Sequence, residues 1–279
     1  MVFRGSEALH AGLLTRRQLR SPLFTSLFRD VYVESTTMIT HEVRCRGATL
    51  VLPPDAVITG RSAATVRGAA ARPDDPVEVI APLERRIGRP DGVDLRRNAI
   101  ESGEWTPWHG GRLATPLRMA LDLALDRPVP VAVADLDVAL RHDLVDLDAL
   151  TNLVRSRSDR GIVDARRAVA LVDPSAESRP ESQVRVHLVL AGLHPVPQYW
   201  IEDADGRIAR TDLAFPERKV AVEYDGQWRD GQLWALNRDR ERLNRVHAAG
   251  WDVVFVTAPL LAAPRKMVAT VRAAREAAR

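Results

Sequence analysis

Between residues 196 and 257 the chain strings together "VPQYWIE", "IARTDLAF", "KVAVEYD" and, after a long polar-faced stretch, "WDVVFVT". Short runs this rich in Val, Ile, Tyr and Phe read as strands, and "DADGR" between the first two carries the Asp-Gly pair that favours a tight hairpin. The stretch from about Gln232 to Ala248 reads as a long helix closed by Gly250. "PESQVRVHLVLAGLHPV" reads as an opening helix stopped at Gly192, and "PRKMVATVRAAREAA" as a closing one. The order α, β-β-β, α, β, α predicts an α/β domain whose helices cover a mixed sheet.

The 279 residues leave room for two or three domains of ordinary size. The sequence predicts a small winged-helix-like segment over 1–35, an α+β region ending in helices over 36–175, and the α/β domain over 176–279, with "DPSAESRP" at 173–180 as the hinge. Ser6 is the expected cap of a helix ending at Gly12, and Thr15 to Gln18 has the spacing of a capping box that starts a second. "PLFTSLFRD" is a third short element before the strand "VYVES". Three small helices and a strand would present a helix to DNA as a winged helix-turn-helix does; a small helical cap is the other reading. Strands are expected in "ATLVLPPDAVITG", "PVEVIAP" and "GVDLRRN", with a short helix at "GRSAATVRGAA". From Thr115 the pattern turns helical, with core-facing stripes at Leu117, Leu121, Leu125 and at Leu136, Leu140, Leu144. His142 and the aspartates around it lack metal-like spacing and read as solvated.

Composition narrows the class. A single cysteine, Cys45, excludes an intrachain disulfide and a Cys-rich zinc site, and reads as a small buried hydrophobe. No apolar run reaches the ~20 residues that span a bilayer, and "MVFRGSEALH" lacks the apolar centre of a signal peptide, so a cytoplasmic protein without membrane association is expected. Net charge is only +3, yet the basic residues are almost all arginine, Lys219 and Lys266 being the lysines. Arginine suits phosphate recognition, although a GC-rich genome enriches it without functional cause.

Chemistry concentrates on the second and third strands. Side chains alternate along a strand, so Ala221, Glu223 and Asp225 share one face with Lys219, and Val220, Val222 and Tyr224 the other. Carboxylates two residues apart lie ~6.6 Å apart, close enough to bracket one ion, and Asp212 reaches the same point from the neighbouring strand. Three such carboxylates repel one another unless a cation or arginines compensate, and an all-oxygen donor set suits Mg²⁺ or Mn²⁺. The alternative reading is that Asp212 and Asp225 only end strands at hairpins. Lys219 shares the face of Glu223 but lies ~13 Å back along the strand, too far to reach the same phosphate.

"RTDLAFPERKVAVEYDGQWR", "NRDRERLNRVHAAGWDVVFVT" and the upstream "ESRPESQVRVHL" resemble actinobacterial proteins whose C-terminal domain is related to the very-short-patch-repair (Vsr) endonuclease. That resemblance covers about Glu177 to Arg279. It implies the restriction-endonuclease-like PD-(D/E)xK fold and metal-dependent cleavage of DNA. It makes Asp212 the metal-bridging aspartate and Glu223 the second ligand, and brings Glu181 of the opening helix near the metal. Asp225 stands where the family usually has lysine and is read as a third acidic contributor; Arg229 stands where related domains commonly have histidine. An arginine can stabilise charge on a phosphate but is a poor general base.

Around this centre, Arg238, Arg242 and Trp228 are the expected nucleic-acid contacts, with Asp239 and Gln198 as orienting residues. Asp239 and Arg242 sit three apart and share a helix face. Trp228 and Trp234 could stack on bases or pack internally. The amino-terminal two-thirds, through "GLLTRRQLR", "VYV", "ITGRSAATVRG", "VEVIAP" and "TPLRMALDLA", resemble proteins with an AbiEi-type antitoxin winged helix and its following domain. Together these resemblances imply a Mg²⁺-dependent endonuclease acting on DNA, in repair or defence. A catalytically inactive DNA-binding or antitoxin-like regulator and an RNA-cleaving effector are the alternatives, and a homodimer or protein partner stays open.

Overall fold

The computed structural model describes residues 1–279 apart from 71–72, 84–87, 89, 227–232 and 279, and gives the backbone alone over 233–239. The chain divides into two compact units, Met1–Asp126 with His142–Ile162 and Arg127–Arg141 with Val163–Arg279. It is mixed α/β throughout, with mixed sheets flanked by helices.

The first unit opens with β1 (Phe3–Arg4), α1 (Gly5–His10), α2 (Arg16–Leu19), β2 (Phe24–Phe28) and β3 (Val31–Glu34). Thr15 and Gln18 form the expected capping box on α2. Ser6 does not cap α1: it lies inside the helix, and its backbone N–H donates to Asp30 Oδ1 at 2.8 Å. "PLFTSLF" is a strand rather than a helix, because Asp30 in the left-handed region (φ 63°) turns the chain back into an antiparallel β2–β3 hairpin beside β1. "ATLV" is likewise not a strand. It is the last turn of α3 (His41–Val51), which Thr40 caps and whose buried stripe of His41, Cys45 and Ala48 has helical spacing.

β4 (Val57–Ile58), α4 (Gly60–Val66), β5 (Val77–Ala81) and β6 (Val93–Arg97) follow as the sequence predicts, and β7 (Trp105–Trp108) and β8 (Gly111–Ala114) add a hairpin it does not. The five strands form one mixed sheet in the order β6-β5-β4-β8-β7. α5 (Pro116–Ala124) buries Met119, Leu121 and Leu123, but Leu117 is exposed rather than core-facing. α6 (Val129–Arg141) belongs to the second unit and α7 (Leu147–Ser156) to the first.

The second unit continues with α8 (Ile162–Val169), α9 (Arg179–Leu190), β9 (Val196–Asp203), β10 (Gly206–Phe215), β11 (Val220–Asp225), α10 (Leu233–Ala248), β12 (Asp252–Thr257), α11 (Ala258–Leu261) and α12 (Pro264–Ala277). The expected hinge at 173–180 is therefore not where the units divide. The reason is electrostatic: Asp135 and Asp137 on α6 are buried, not solvated, and they receive Arg179 (2.9 Å) and Arg185 (3.0 Å) from α9. Arg127 adds to Asp135, and the Asp173 N–H adds to Asp137.

The sheet runs β12-β11-β10-β9, with β11 and β12 parallel and the other pairs antiparallel. Strand alternation sorts the core into two layers. Leu213, Phe215, Val220 and Val222 pack with Val184 and Leu188 of α9 and Met267 and Val271 of α12. Ala214 and Ala221 face the other way, toward Val246 of α10 and Trp251. Each large apolar side chain so buried contributes roughly 1.5–3 kcal/mol, which holds β10 and β11 rigidly in register. Among the described residues no helix is long and apolar enough to cross a membrane.

Candidate functional site

The paired register of β10 and β11 runs Phe215↔Val220, Ala214↔Ala221 and Leu213↔Val222, and stops there. The next residues along are Asp212 and Glu223, so the two acids flank the point where the strands part. The Tyr224 N–H, left without a ladder partner on β10, donates instead to Asp212 Oδ2 at 2.8 Å. On the other side of β10, the pairs Pro197↔Leu213 and Tyr199↔Thr211 leave Gln198 beside Asp212.

Gln198 has φ 51°, a left-handed backbone that a non-glycine residue adopts at a cost of ~1–3 kcal/mol. That twist aims its carboxamide, which donates to Glu181 Oε2 at 3.2 Å. The Glu177 N–H donates to the same oxygen at 2.9 Å. α9 begins here because Ser178 caps it and Pro180 sits in its first turn, and that start places Glu181 at the sheet end. Glu181 and Gln198 are thus bonded to each other at the sheet end that carries Asp212.

Asp212 is half-buried. Burial first, then the nearby negative charges of Glu181, Glu223 and Glu177, push its carboxyl up to about 6, against the Tyr224 N–H that holds it down. Glu223 is compensated: Arg242 of α10 grips it in a two-pronged bond, Nη1 to Oε1 at 3.0 Å and Nη2 to Oε2 at 3.2 Å. Arg242 is therefore brought to Glu223 itself, as an arginine that compensates one of the acids. Glu177, whose carboxylate pairs with Arg210, is a further acid at this end that sequence reasoning missed. Its spacing of four residues before Glu181 was the available signal.

Not every expected partner converges. Among the described residues no group of three or more His, Cys, Asp or Glu side chains is arranged to hold a metal ion. The three-carboxylate platform of Asp212, Glu223 and Asp225 is thus not assembled: Arg242 holds Glu223, and Asp225 is carried past the last paired position of β10 to lie opposite Thr257 of β12. Lys219 is not on the strand face. It takes the left-handed turn position (φ 50°) and donates to the Ala249 carbonyl at 3.0 Å, which turns it away from the acids. Arg245 pairs with Asp203. Trp228 and Arg229 lie outside the described residues, as do the side chains of Trp234, Arg238 and Asp239.

The fold and this site define a mixed α/β protein with an acidic centre at one end of a four-stranded sheet. No family model matches the chain. Over 149 residues it is 38% identical to two proteins of Mycobacterium tuberculosis strains, Uncharacterized protein Rv2248 and Uncharacterized protein MT2308, a match covering 52% of this chain and 54% of each relative. The chain thus spans about half the length of the curated relatives it matches. The crystal structure of RV2827C protein from Mycobacterium tuberculosis shares 16% identity at a TM-score of 0.42, over 73% of this chain and 84% of that one.

Proposed function

We propose that the chain is a Mg²⁺- or Mn²⁺-dependent endonuclease that hydrolyses phosphodiester bonds in DNA, with Asp212 and Glu223 as ligands. The observation that carries this reading is Asp212: a half-buried carboxyl at a sheet end, raised to about 6 and surrounded by Glu181, Glu223 and Glu177. A carboxyl raised by burial and, after it, by like charges is one that a divalent cation would return to its ionised form. The donor chemistry fits, since every candidate ligand is a hard carboxylate oxygen.

Within this reading the chain's own residues divide the work. Asp212 and Glu223 bind the ion from two adjacent strands. Glu181, steadied by Gln198 and the Glu177 N–H, orients a water at the sheet end. The Tyr224 N–H fixes one oxygen of Asp212 and leaves the other to the ion. When bound, the ion supplies polarisation of the scissile phosphate and a lowered pKa for the attacking water. Asp225 and Arg229 are the further acid and the phosphate-stabilising cation of the proposal, and Arg238 and Trp228 its nucleic-acid contacts.

Plasmid, linear, mismatched and single-stranded DNA incubated with the protein and Mg²⁺ or Mn²⁺ test this. Cleavage that Asp212→Ala and Glu223→Ala each reduce at least ~100-fold is expected, on the scale of removing one charge-stabilising group. DNA intact under all conditions sinks the reading.

A second reading, a DNA-binding or antitoxin-like regulator without cleavage, is favoured by the Arg242–Glu223 pair, which neutralises a would-be ligand. It predicts a gel shift with intact DNA. Cutting of RNA but not DNA would instead support an RNA-cleaving effector.

A further inference from the structure

The Arg242 guanidinium covers both oxygens of Glu223, with matched distances of 3.0 and 3.2 Å. Glu223 is 14% exposed and Arg242 26%, so the pair is sheltered from water yet reachable from it. A divalent ion entering between Asp212 and Glu223 would meet a positive charge already bonded to one of its ligands. Guanidinium and cation therefore compete for the same carboxylate oxygens. The planar fork of an arginine fits a phosphate as well as it fits a carboxylate.

Resting on the nuclease reading above, we propose that Arg242 is the resident counter-cation of this site and makes ion binding depend on nucleic acid. A backbone phosphate arriving at the sheet end takes the Arg242 guanidinium from Glu223. Glu223 is then free to ligate, and the divalent ion enters with the nucleic acid rather than before it. Asp212 keeps its Tyr224 N–H bond in both states, so its position does not change. The exchange gives Glu223 a cationic partner at each stage: Arg242 without substrate, and the ion, with Arg242 on the phosphate, once substrate is bound. Because the two ligands act on one equilibrium, Mn²⁺ tightens DNA binding by the same factor as DNA tightens Mn²⁺ binding.

The test is Mn²⁺ binding to the full chain, followed by the EPR signal of the free ion, with and without a short DNA duplex. For the wild type, DNA should tighten Mn²⁺ binding about tenfold or more, within the usual range of such coupling. Arg242→Gln should bind Mn²⁺ alone more tightly than the wild type by a similar factor and gain little further from DNA. Arg242→Lys, which keeps the charge but loses the two-pronged bond, should fall between them, and its circular dichroism should match the wild type.

Equal Mn²⁺ affinity in the wild type and Arg242→Gln without DNA overturns the proposal, as does a wild type indifferent to DNA. Asp212→Asn separates this from failure of the nuclease reading. If it binds Mn²⁺ as the wild type does, no ion occupies this site and both readings fall. If it loses Mn²⁺ while Arg242→Gln behaves as wild type, only the role of Arg242 falls.

Discussion

The first unit and the sheet end of the second treat buried charge in opposite ways. In the first, Arg118 and Asp122 on α5 are each about 1% exposed at the side chain and bonded to each other at 3.1 Å. Arg118 also bonds Glu104 and the Ala99 carbonyl (2.8 Å), Thr59 bonds Asp122, and Arg157 joins Glu104 at 3.0 Å and Asp159 at 2.7 Å. Burial pushes the Asp122 carboxyl up, and Arg118, Thr59 and Arg96 oppose it. At the sheet end burial likewise pushes Asp212 up first, but the side chains beside it that add to the shift are the carboxylates of Glu181, Glu223 and Glu177. A closed network of opposite charges holds a fold together, whereas an acid crowded by acids stores a demand for a cation. Asp137 with Arg185 shows that the second unit can also close a pair, so the imbalance is local to the sheet end.

The largest expected effect tests the closed side of this contrast. Arg118→Ala strands a buried Asp122 without its main cation and should cost about 3–5 kcal/mol in urea denaturation. A midpoint that does not move would show that the network carries no stability.

Next comes the open side. The Asp212 pKa is about 6 in the fold against ~3.9 in the unfolded chain, so between those values the unfolded state releases its proton first. Stability should therefore fall as pH rises from 4 to 7, by roughly 1–3 kcal/mol given partial solvation. Asp212→Asn should lack this loss and be the more stable protein at pH 7.5, although it should not cleave. Parallel stability curves for the two proteins between pH 4 and 7.5 would remove the asymmetry.

Smaller still, Gln198→Gly relieves the left-handed backbone and should raise stability by up to about 1 kcal/mol. It also unties Glu181, so DNA cleavage should fall while the thermal midpoint rises; a fall in both would place the strain elsewhere. The least effect is expected remote from either site. Thr15→Ala removes the capping box of α2, costing about 0.5–1 kcal/mol, with Mn²⁺ binding unchanged.

Much of the architecture was legible because its causes are local. Alternation marks β9, β10 and β11, Gly192 and Gly250 stop their helices with positive φ, and the Asp-Gly turn joins β9 to β10. Errors came where a non-local partner overrode a local pattern. "PLFTSLF" became a strand because β3 pairs with it, Ser6 lay inside a helix bonded to Asp30, and the hinge at 173–180 vanished because arginines of α9 reach aspartates of α6. β7 and β8 were missed because their strand character comes from pairing with each other and with β4 rather than from an apolar run.

The sequence by itself determined the strands that carry Asp212 and Glu223, since side-chain alternation and turn chemistry act over a few residues. Only the tertiary structure decided how those acids are balanced. The end of the β10–β11 register, the twist at Gln198 and the contact of Arg242 on α10 with Glu223 depend on packing between segments far apart in the chain. Charge compensation is a matter of distances between such segments, and local sequence does not set distances between elements.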